Sequence, residues 1–239
     1  MKNVISVDVE QWFHRPILRN FIRDIDPCSR HVLIAVRKIL EIFEKYGKRT
    51  TFFVLGEVAN FVPEVVEEIS EKGHEVAFHG YSHLQLQELG KRKFEEEVER
   101  GVNILKCLSG TEPKGFRAPM FSLNKKTEWA LTVLKRYGFK YDSSIFPAKT
   151  PFYGISNAPD HPYVISIANS FSKQSVIEFP LLTSKLFSIR FPAAGGFYLR
   201  LFGPNFIIKS IRKMNACGYP AMCYIHPWEV HEFPNITLP

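Results

Sequence analysis

Cysteines and long hydrophobic runs are scarce in this sequence, and their scarcity excludes several classes of protein. No C-x-x-C pair is present among the four cysteines, which argues against a disulfide framework or a thiolate zinc site; they are Cys28, Cys107, Cys217 and Cys223. No stretch approaches the ~20 consecutive apolar residues that a transmembrane helix needs. The first residues also lack the charged segment, apolar run and cleavage site of an export signal.

Internal repeats, low-complexity segments and long basic runs are absent as well. The 239 residues include 31 lysines and arginines against 24 acidic residues, a net charge of +7. This balance suits an anionic partner such as nucleic acid, an acidic polysaccharide or an anionic membrane surface. Because no helix-turn-helix, RNA-binding or zinc-finger signature accompanies the charge, we expect no nucleic-acid partner.

Short apolar runs alternate with amphipathic segments along most of the chain, which is typical of parallel β/α units. Predicted strands cover Val4–Val7, Thr50–Leu55, Glu75–Phe78, Gly115–Arg117, Phe139–Asp142 and Ala221–Ile225, and predicted helices cover Arg30–Tyr46, Pro63–Lys72, Lys91–Leu108, Lys125–Tyr137 and Asn205–Ala216. Residues 143–201 interrupt this rhythm with two strand-like runs, Tyr163–Ile167 and Val176–Leu181. We predict an α/β fold, a distorted or incomplete (β/α) barrel, as a single domain over residues 1–239 with an elaborated loop region at 143–201.

Side chains able to bind a metal follow two of the predicted strands. Asp8 and Glu10 alternate along extended chain and so face the same way, although a D-x-E pair taken alone is more often a surface feature. His79 and His83 follow the strand Glu75–Phe78 and can converge on one ion if the chain turns helically between them. On spacing alone, two unrelated loop histidines are an equally good interpretation.

Two further polar residues directly follow strands. Arg117 could hold a carboxylate in one orientation through paired hydrogen bonds. His226 could act as a general acid near neutral pH. Each residue considered in isolation is more often a surface arginine or a structural histidine.

Together these clusters resemble one known set, that of the polysaccharide deacetylase family, also called the NodB-homology family or carbohydrate esterase family four. The resemblance runs from Val4 to about Glu229 and is closest to the branch associated with exopolysaccharide synthesis. The motifs that suggest this branch are Ser6-Val7-Asp8-Val9-Glu10, Tyr141-Asp142-Ser143-Ser144-Ile145-Phe146-Pro147, Gly195-Gly196-Phe197-Tyr198-Leu199-Arg200 and His226-Pro227-Trp228-Glu229.

The resemblance implies a role for each site residue. It makes Asp8 the catalytic base, Arg117 the residue that orients the base, and His226 the catalytic acid. It makes Glu10, His79 and His83 the ligands of a divalent metal, and imidazole and carboxylate ligands suit Zn²⁺, with Co²⁺ or Ni²⁺ as alternatives. By the same resemblance the backbone N–H near Phe121 would hold the oxyanion. The residues themselves suggest two further contacts. Trp228 could stack on a sugar face, although core packing is the more frequent role, and Gly195-Gly196 could admit a ligand close to the backbone, although a plain turn is an equally good interpretation.

The sequence departs from the family pattern at four points. The first motif has Asp8-Val9-Glu10 where adjacent aspartates are usual, and Gly80 stands where Ser or Thr is usual. The family's fourth motif, an aspartate with a downstream tryptophan, has no clear match, which leaves Asp142 as a weak candidate to orient His226. Tyr224 stands where Leu is common.

The expected function is metal-dependent removal of N-acetyl groups from amino sugars of a polysaccharide or lipid-linked glycan. The alternatives are hydrolysis of another C–N bond, such as a formamide on a lipid-linked amino sugar or a ureide, and a binding protein with a vestigial site. Basic charge and the mixed apolar and cationic stretch at 202–214 suggest peripheral membrane contact. With no export signal visible, we expect a cytoplasmic enzyme at the inner face of the membrane.

Overall fold

A mostly parallel sheet forms the centre of the computed structural model, which describes residues 2–14, 18, 26, 28–151, 153–166, 175–186 and 189–231. The strands are β1 Val4–Val9, β2 Thr51–Val54, β3 Glu75–Phe78, β4 Gly115–Phe116, β5 Tyr141–Asp142, β6 Tyr163–Ser166, β7 Ser175–Glu178, β8 Thr183–Leu186, β9 Ile189–Pro192 and β10 Met222–Ile225. Eight of them form one sheet in the order β10-β1-β2-β3-β4-β5-β7-β6, and β8 and β9 form a separate hairpin. Only the β6–β7 pair of the large sheet is antiparallel.

Helices pack on the sheet because each presents an apolar face at helical spacing. Their bounds are α1 His31–Lys45, α2 Gly56–Phe61, α3 Glu64–Glu71, α4 Leu86–Ser109, α5 Trp129–Arg136 and α6 Gly196–Ala216, and short 3₁₀ turns lie at Trp12–His14, Pro119–Phe121 and Pro227–Glu229. In α1, Val32, Val36 and Ile39 follow the i, i+4, i+7 pattern and are buried against the sheet. All four residues of β2 are buried, as expected for a central parallel strand covered on both faces.

The predicted fold class is confirmed: the eight-stranded sheet curls into a partial barrel within one domain. The predicted strand Val4–Val7 extends two residues further, to Val9. In the irregular region, the two strand-like runs correspond to β6 and β7, each four residues long, and β7 begins one residue earlier and ends three residues earlier than its predicted run. Ile167 of the first run lies outside the described residues.

Four helices differ from the predictions, and one of them, α5, begins at Trp129 rather than Lys125. The short helix α2 was not predicted. The helix α4 begins at Leu86 rather than Lys91 and bends at Gly90, where the backbone leaves helical dihedrals. The helix α6 begins at Gly196 rather than Asn205 and bends at Gly203, next to Pro204.

The sheet register brings the residues that follow the strands to one edge. Val7 of β1 pairs with Ile225 of β10, so Asp8 and His226 extend beyond the pair at the same level. Phe78 of β3 pairs with Phe116 of β4, which places His79 and Arg117 side by side. The reactive residue types therefore collect at the carboxyl ends of parallel strands, where barrel enzymes carry their sites.

Candidate active site

Glu10, His79 and His83 converge in a buried cluster at this edge. One donor atom from each residue can be chosen so that all three lie within 4.8 Å of one another. Each residue is at most 5% exposed. Three donors of this type leave coordination positions open for water and substrate, as in hydrolytic metal sites.

Glu10 is an ionised carboxylate between two imidazoles. Its Oε2 lies 2.8 Å from Nε2 of His83, and its Oε1 lies 3.3 Å from Nε2 of His226. Burial alone would raise the pKa of this carboxyl, but the neighbouring His83 and His226 hold the pKa well below its ordinary value. Although Oε2 is so close to His83, it has no hydrogen bond of proper geometry among the described residues. An unbonded carboxylate oxygen within 4.8 Å of ligand atoms of His79 and His83 is suited to share one ion with them.

His79 presents one ring nitrogen to the cluster because its other nitrogen is occupied. Nδ1 lies 2.9 Å from the carbonyl oxygen of Arg117, and since a carbonyl only accepts, Nδ1 carries the proton. Burial lowers the pKa of His79 to about 4, so the ring is neutral at pH 7. A neutral imidazole anchored through its second nitrogen is the usual state of a metal-ligating histidine.

The loop between the two histidines is held in an unusual backbone conformation. Gly80 has φ +81°, which explains why glycine stands here in place of the usual Ser or Thr, and His83 has φ +56°. Glu97 of α4 clamps the loop by accepting hydrogen bonds from the Ser82 hydroxyl and from the Tyr81 N–H, the latter at 3.1 Å. Strained residues held by surrounding structure are frequent at functional sites.

Asp8 and Arg117 form a buried ion pair behind the cluster. Nη1 of Arg117 donates to Oδ1 of Asp8 at 2.5 Å and to Oγ of Ser6 at 2.8 Å. Nε and Nη2 donate to the carbonyl and hydroxyl oxygens of Ser143, at 2.9 and 2.8 Å, and the guanidinium lies 4.1 Å from the ring centre of Phe53. With every arm bonded, Arg117 can hold Asp8 in only one orientation.

His226 directly follows β10 and contacts Glu10. Burial lowers the pKa of the imidazole, but contacts with Glu10 and Glu229 outweigh burial and raise the pKa to about 9. Trp228 stacks on the His226 ring with centroids 4.2 Å apart and planes 13° apart. Trp228 supports the imidazole through this contact, and its predicted contact with a sugar stays a prediction.

Glu229 is a site residue that the sequence reasoning missed. Its Oε2 lies 3.8 Å from Nδ1 of His226 and accepts a 3.0 Å hydrogen bond from the His226 N–H, while Arg200 binds Oε1 at 3.0 Å. A Cβ at Gly196 would lie 2.0 Å from the Glu229 carboxylate. Gly196 thus admits this carboxylate, whereas the prediction had it admit a ligand. The i, i+3 spacing in His226-Pro227-Trp228-Glu229 was the available signal.

The pocket over the cluster has an aromatic wall. It is lined by Asp8, Glu10, His79, His83, Ala118, Met120, Phe121, Tyr153, Tyr224 and His226. The ring of Phe121 packs on Tyr153 and Tyr224, with centroids 5.2 Å from each. The Phe121 N–H itself is bonded to the Ala118 carbonyl at 3.0 Å, and an oxyanion donor near Phe121 stays a prediction. No acceptor among the described residues bonds the neighbouring Met120 N–H, and Met120 has φ +54°.

Asp142 is placed away from His226. Its two oxygens accept hydrogen bonds from the hydroxyl and N–H of Ser144, at 2.6 and 3.0 Å, and Asp142 pairs with Glu178 in the register of β5 and β7. The carboxylate beside His226 is Glu229, so the suggestion that Asp142 orients the histidine was wrong.

Comparisons with known proteins cover most of the chain. Residues 34–141 match the family model of polysaccharide deacetylase, and residues 143–238 match that of a domain of unknown function, DUF3473. A peptidoglycan deacetylase from Helicobacter pylori is 31% identical over 121 residues, which are 50% of this chain and 40% of that protein. The chain spans only 37–40% of the length of the curated relatives it matches first.

Two solved structures share the fold over nearly the whole chain. A Mycobacterium smegmatis structure assigned to the polysaccharide deacetylases has a TM-score of 0.68 at 24% identity and covers 94% of this chain and 76% of its own. A PuuE allantoinase has a TM-score of 0.63 at 18% identity, with the same two shares covered. At these identities the two likenesses show the fold.

Proposed function

We propose, from the premise that this chain belongs to the polysaccharide deacetylase family, that it removes N-acetyl groups from amino sugars of a polysaccharide or lipid-linked glycan by metal-assisted hydrolysis. The observation that carries the proposal is the meeting of three elements in one pocket: the Glu10, His79 and His83 cluster, the Asp8–Arg117 pair, and His226. A vestigial metal-binding site would need neither the ion pair nor the third imidazole, that of His226.

Each residue has a defined task in this proposal. A divalent ion held by Glu10, His79 and His83 would polarise the acetamide carbonyl and lower the pKa of water. Asp8 accepts a proton from the water that attacks the carbonyl carbon, while Arg117 keeps the carboxylate aimed at it. The free Met120 N–H is a candidate donor to the oxyanion.

His226 completes the reaction on the leaving-group side. The Glu229 carboxylate beside the ring favours its protonated form, so His226 can give a proton to the sugar nitrogen as the C–N bond breaks. The products are acetate and a free amino sugar. Glu229 and the stacked Trp228 fix the ring from behind.

The proposal is tested by mass spectrometry of candidate N-acetylated glycans after incubation with zinc-loaded protein. We expect a loss of one acetyl mass per sugar modified, with free acetate in equal amount. A panel of formamides and ureides, with formate detection, tests hydrolysis of another C–N bond. Release of formate without acetate would replace the deacetylase proposal by this alternative.

We also propose that the protein works in the cytoplasm, on the inner face of the membrane. An apolar groove supports this; it runs over the outer side of β1 and β10 between α1 and α6, and is lined by residues that include Ile42, Tyr46, Lys48, Ile208 and Ile211. Exposed cations lie at its border, since Lys48 lines it and Arg212 follows Ile208 by one helical turn. No helix among the described residues is long and apolar enough to cross a bilayer.

Flotation with liposomes tests membrane contact. We expect the protein to float with vesicles that contain anionic phospholipid and to be released by high salt, because screening weakens attraction between exposed charges. Vesicles of neutral lipid should bind weakly. Ile208→Ser with Arg212→Ser should reduce flotation, whereas Arg92→Ser on the exposed surface of α4 is the control. Equal recovery without lipid would contradict the proposal.

A further inference from the structure

Asp142 and Glu178 form a buried carboxyl pair that the proposed reaction does not use. They end the adjacent parallel strands β5 and β7, and the register pairs them directly, so both side chains point into the barrel. Both are completely buried. Two carboxylates in contact inside a protein repel each other and lose hydration, so such a pair needs compensation.

The hydrogen-bond donors around the pair are fewer than its oxygens. Asp142 receives the hydroxyl and the N–H of Ser144, and Oε1 of Glu178 receives the Ile145 N–H at 2.9 Å. The buried Oε2 of Glu178 has no protein donor among the described residues. A single proton held between the two carboxyl groups satisfies this atom and removes the second charge.

A chain of hydrogen bonds links this pair to a metal-ligand candidate. The Ser144 hydroxyl donates to Asp142 and accepts the Ala118 N–H at 2.8 Å. That N–H belongs to the same peptide unit as the Arg117 carbonyl, which accepts the Nδ1 proton of His79. Hydrogen bonds in such a chain polarise one another, so the carboxylate strengthens the acceptor that His79 faces.

The segment at residues 142–145 also contacts Arg117, the ion-pair partner of Asp8. Ser143 accepts two hydrogen bonds from Arg117, and its own hydroxyl donates to the Phe179 carbonyl at 2.7 Å. Residues 142–145 therefore position both the arginine that fixes Asp8 and the peptide that fixes His79.

We propose that Asp142 and Glu178 share one proton and act as positioning residues, holding the segment at residues 142–145 so that Ser144 orients His79 and Ser143 orients Arg117. The His79 and Arg117 part of this inference rests on the proposed function. Neither carboxyl contacts the cluster of Glu10, His79 and His83 in any hydrogen bond or ion pair among the described residues.

The surroundings of the pair are consistent with one proton and one negative charge. Arg117 on β4 attracts the negative charge, and Tyr163 on β6 faces both carboxyl groups. Burial, followed by the neighbouring Asp142, raises the pKa of Glu178 well above its ordinary value, and burial raises that of Asp142. The folded protein thus holds a proton that the unfolded chain releases above about pH 4.3.

The first test compares the pH dependence of unfolding in metal-free wild type and Glu178→Gln. Because the folded state binds the additional proton, wild-type stability should fall as the pH rises from about 4.3 towards the raised pKa. Glu178→Gln supplies the donor without a titrating group, so its profile should lack about one proton of this dependence. Asp142→Asn gives a second comparison if the first variant folds poorly. Parallel profiles for the variants and wild type would overturn the shared proton.

The second test measures Zn²⁺ binding by calorimetry in Ser144→Ala. Loss of a second-layer partner of a metal-ligating histidine typically lowers affinity by about 10- to 100-fold, and we expect a fall in this range. The control is Ser210→Ala, which also removes a buried serine hydroxyl but lies on α6. Equal zinc affinity in both variants would overturn the proposal that Ser144 orients His79. If wild type bound no zinc, the proposed function would fail, and the metal-free pH comparison would still decide the shared proton.

Discussion

Asp8→Asn should lower kcat by roughly 10²- to 10⁴-fold, the usual contribution of a general base, while Zn²⁺ still binds. Asparagine keeps the shape of the side chain and can still face Arg117, but it cannot accept a proton. Asp8 is hydrogen-bonded to Arg117 and is not one of the three ligand candidates, so the substitution leaves all three ligands in place. The measurement is steady-state kinetics on an N-acetylated glycan together with calorimetric zinc titration.

The controls separate chemistry from stability. Asp8→Asn removes the charge partner of the buried Arg117, so some loss of stability is expected and should be followed by thermal unfolding. Asp160→Asn changes a partly exposed aspartate that pairs with Arg190, well away from the pocket, and should leave kcat unchanged. Normal turnover by Asp8→Asn would show that another group is the base.

Strand periodicity made part of the site predictable. Asp8 and Glu10 share a side because alternate residues of extended chain do, and His79 and Arg117 meet because each follows a strand of the same sheet. The fold class followed from the same regular succession of strands and helices. Both features depend on local sequence pattern and on the rule that crossover connections between parallel strands are right-handed.

Contacts between distant segments were not predictable in this way. Glu229 meets Gly196 and Arg200 across 29 or more positions of sequence, and nothing in local periodicity indicates which glycine makes room for which carboxylate. The Met120 N–H has no acceptor among the described residues and lies in the first positions of a short 3₁₀ turn. Its positive φ is a conformation that propensity does not predict for methionine.

Helix boundaries failed where helical segments continue beyond a bend. Gly90, and Gly203 followed by Pro204, are typical breaking signals, and the predicted helices began just after them. In the structure, helical residues also precede each bend, because buried residues such as Leu86 and Gly196 anchor the earlier turn. Tertiary packing thus overrides the local signal at both places.

The second large effect is expected at the metal-ligand candidates. His83→Ala should lower Zn²⁺ affinity by more than 100-fold and abolish turnover, because it removes one of three converging donors. It also leaves the buried Glu10 carboxylate without the imidazole 2.8 Å away, so the metal-free variant should be less stable than wild type. His161→Ala, a change at a half-exposed histidine outside the pocket, is the control for losing an imidazole.

Chelation should reproduce the same loss in the wild-type protein, and re-addition should reverse it. Zn²⁺, Co²⁺ or Ni²⁺ should restore turnover, because two imidazoles and one carboxylate suit these ions, whereas Mg²⁺ prefers an all-oxygen set. Restoration must fail in His83→Ala at metal concentrations that saturate the wild type. Full activity in thoroughly demetallated protein would remove the metal from the mechanism, and Glu10, His79 and His83 would then need another role.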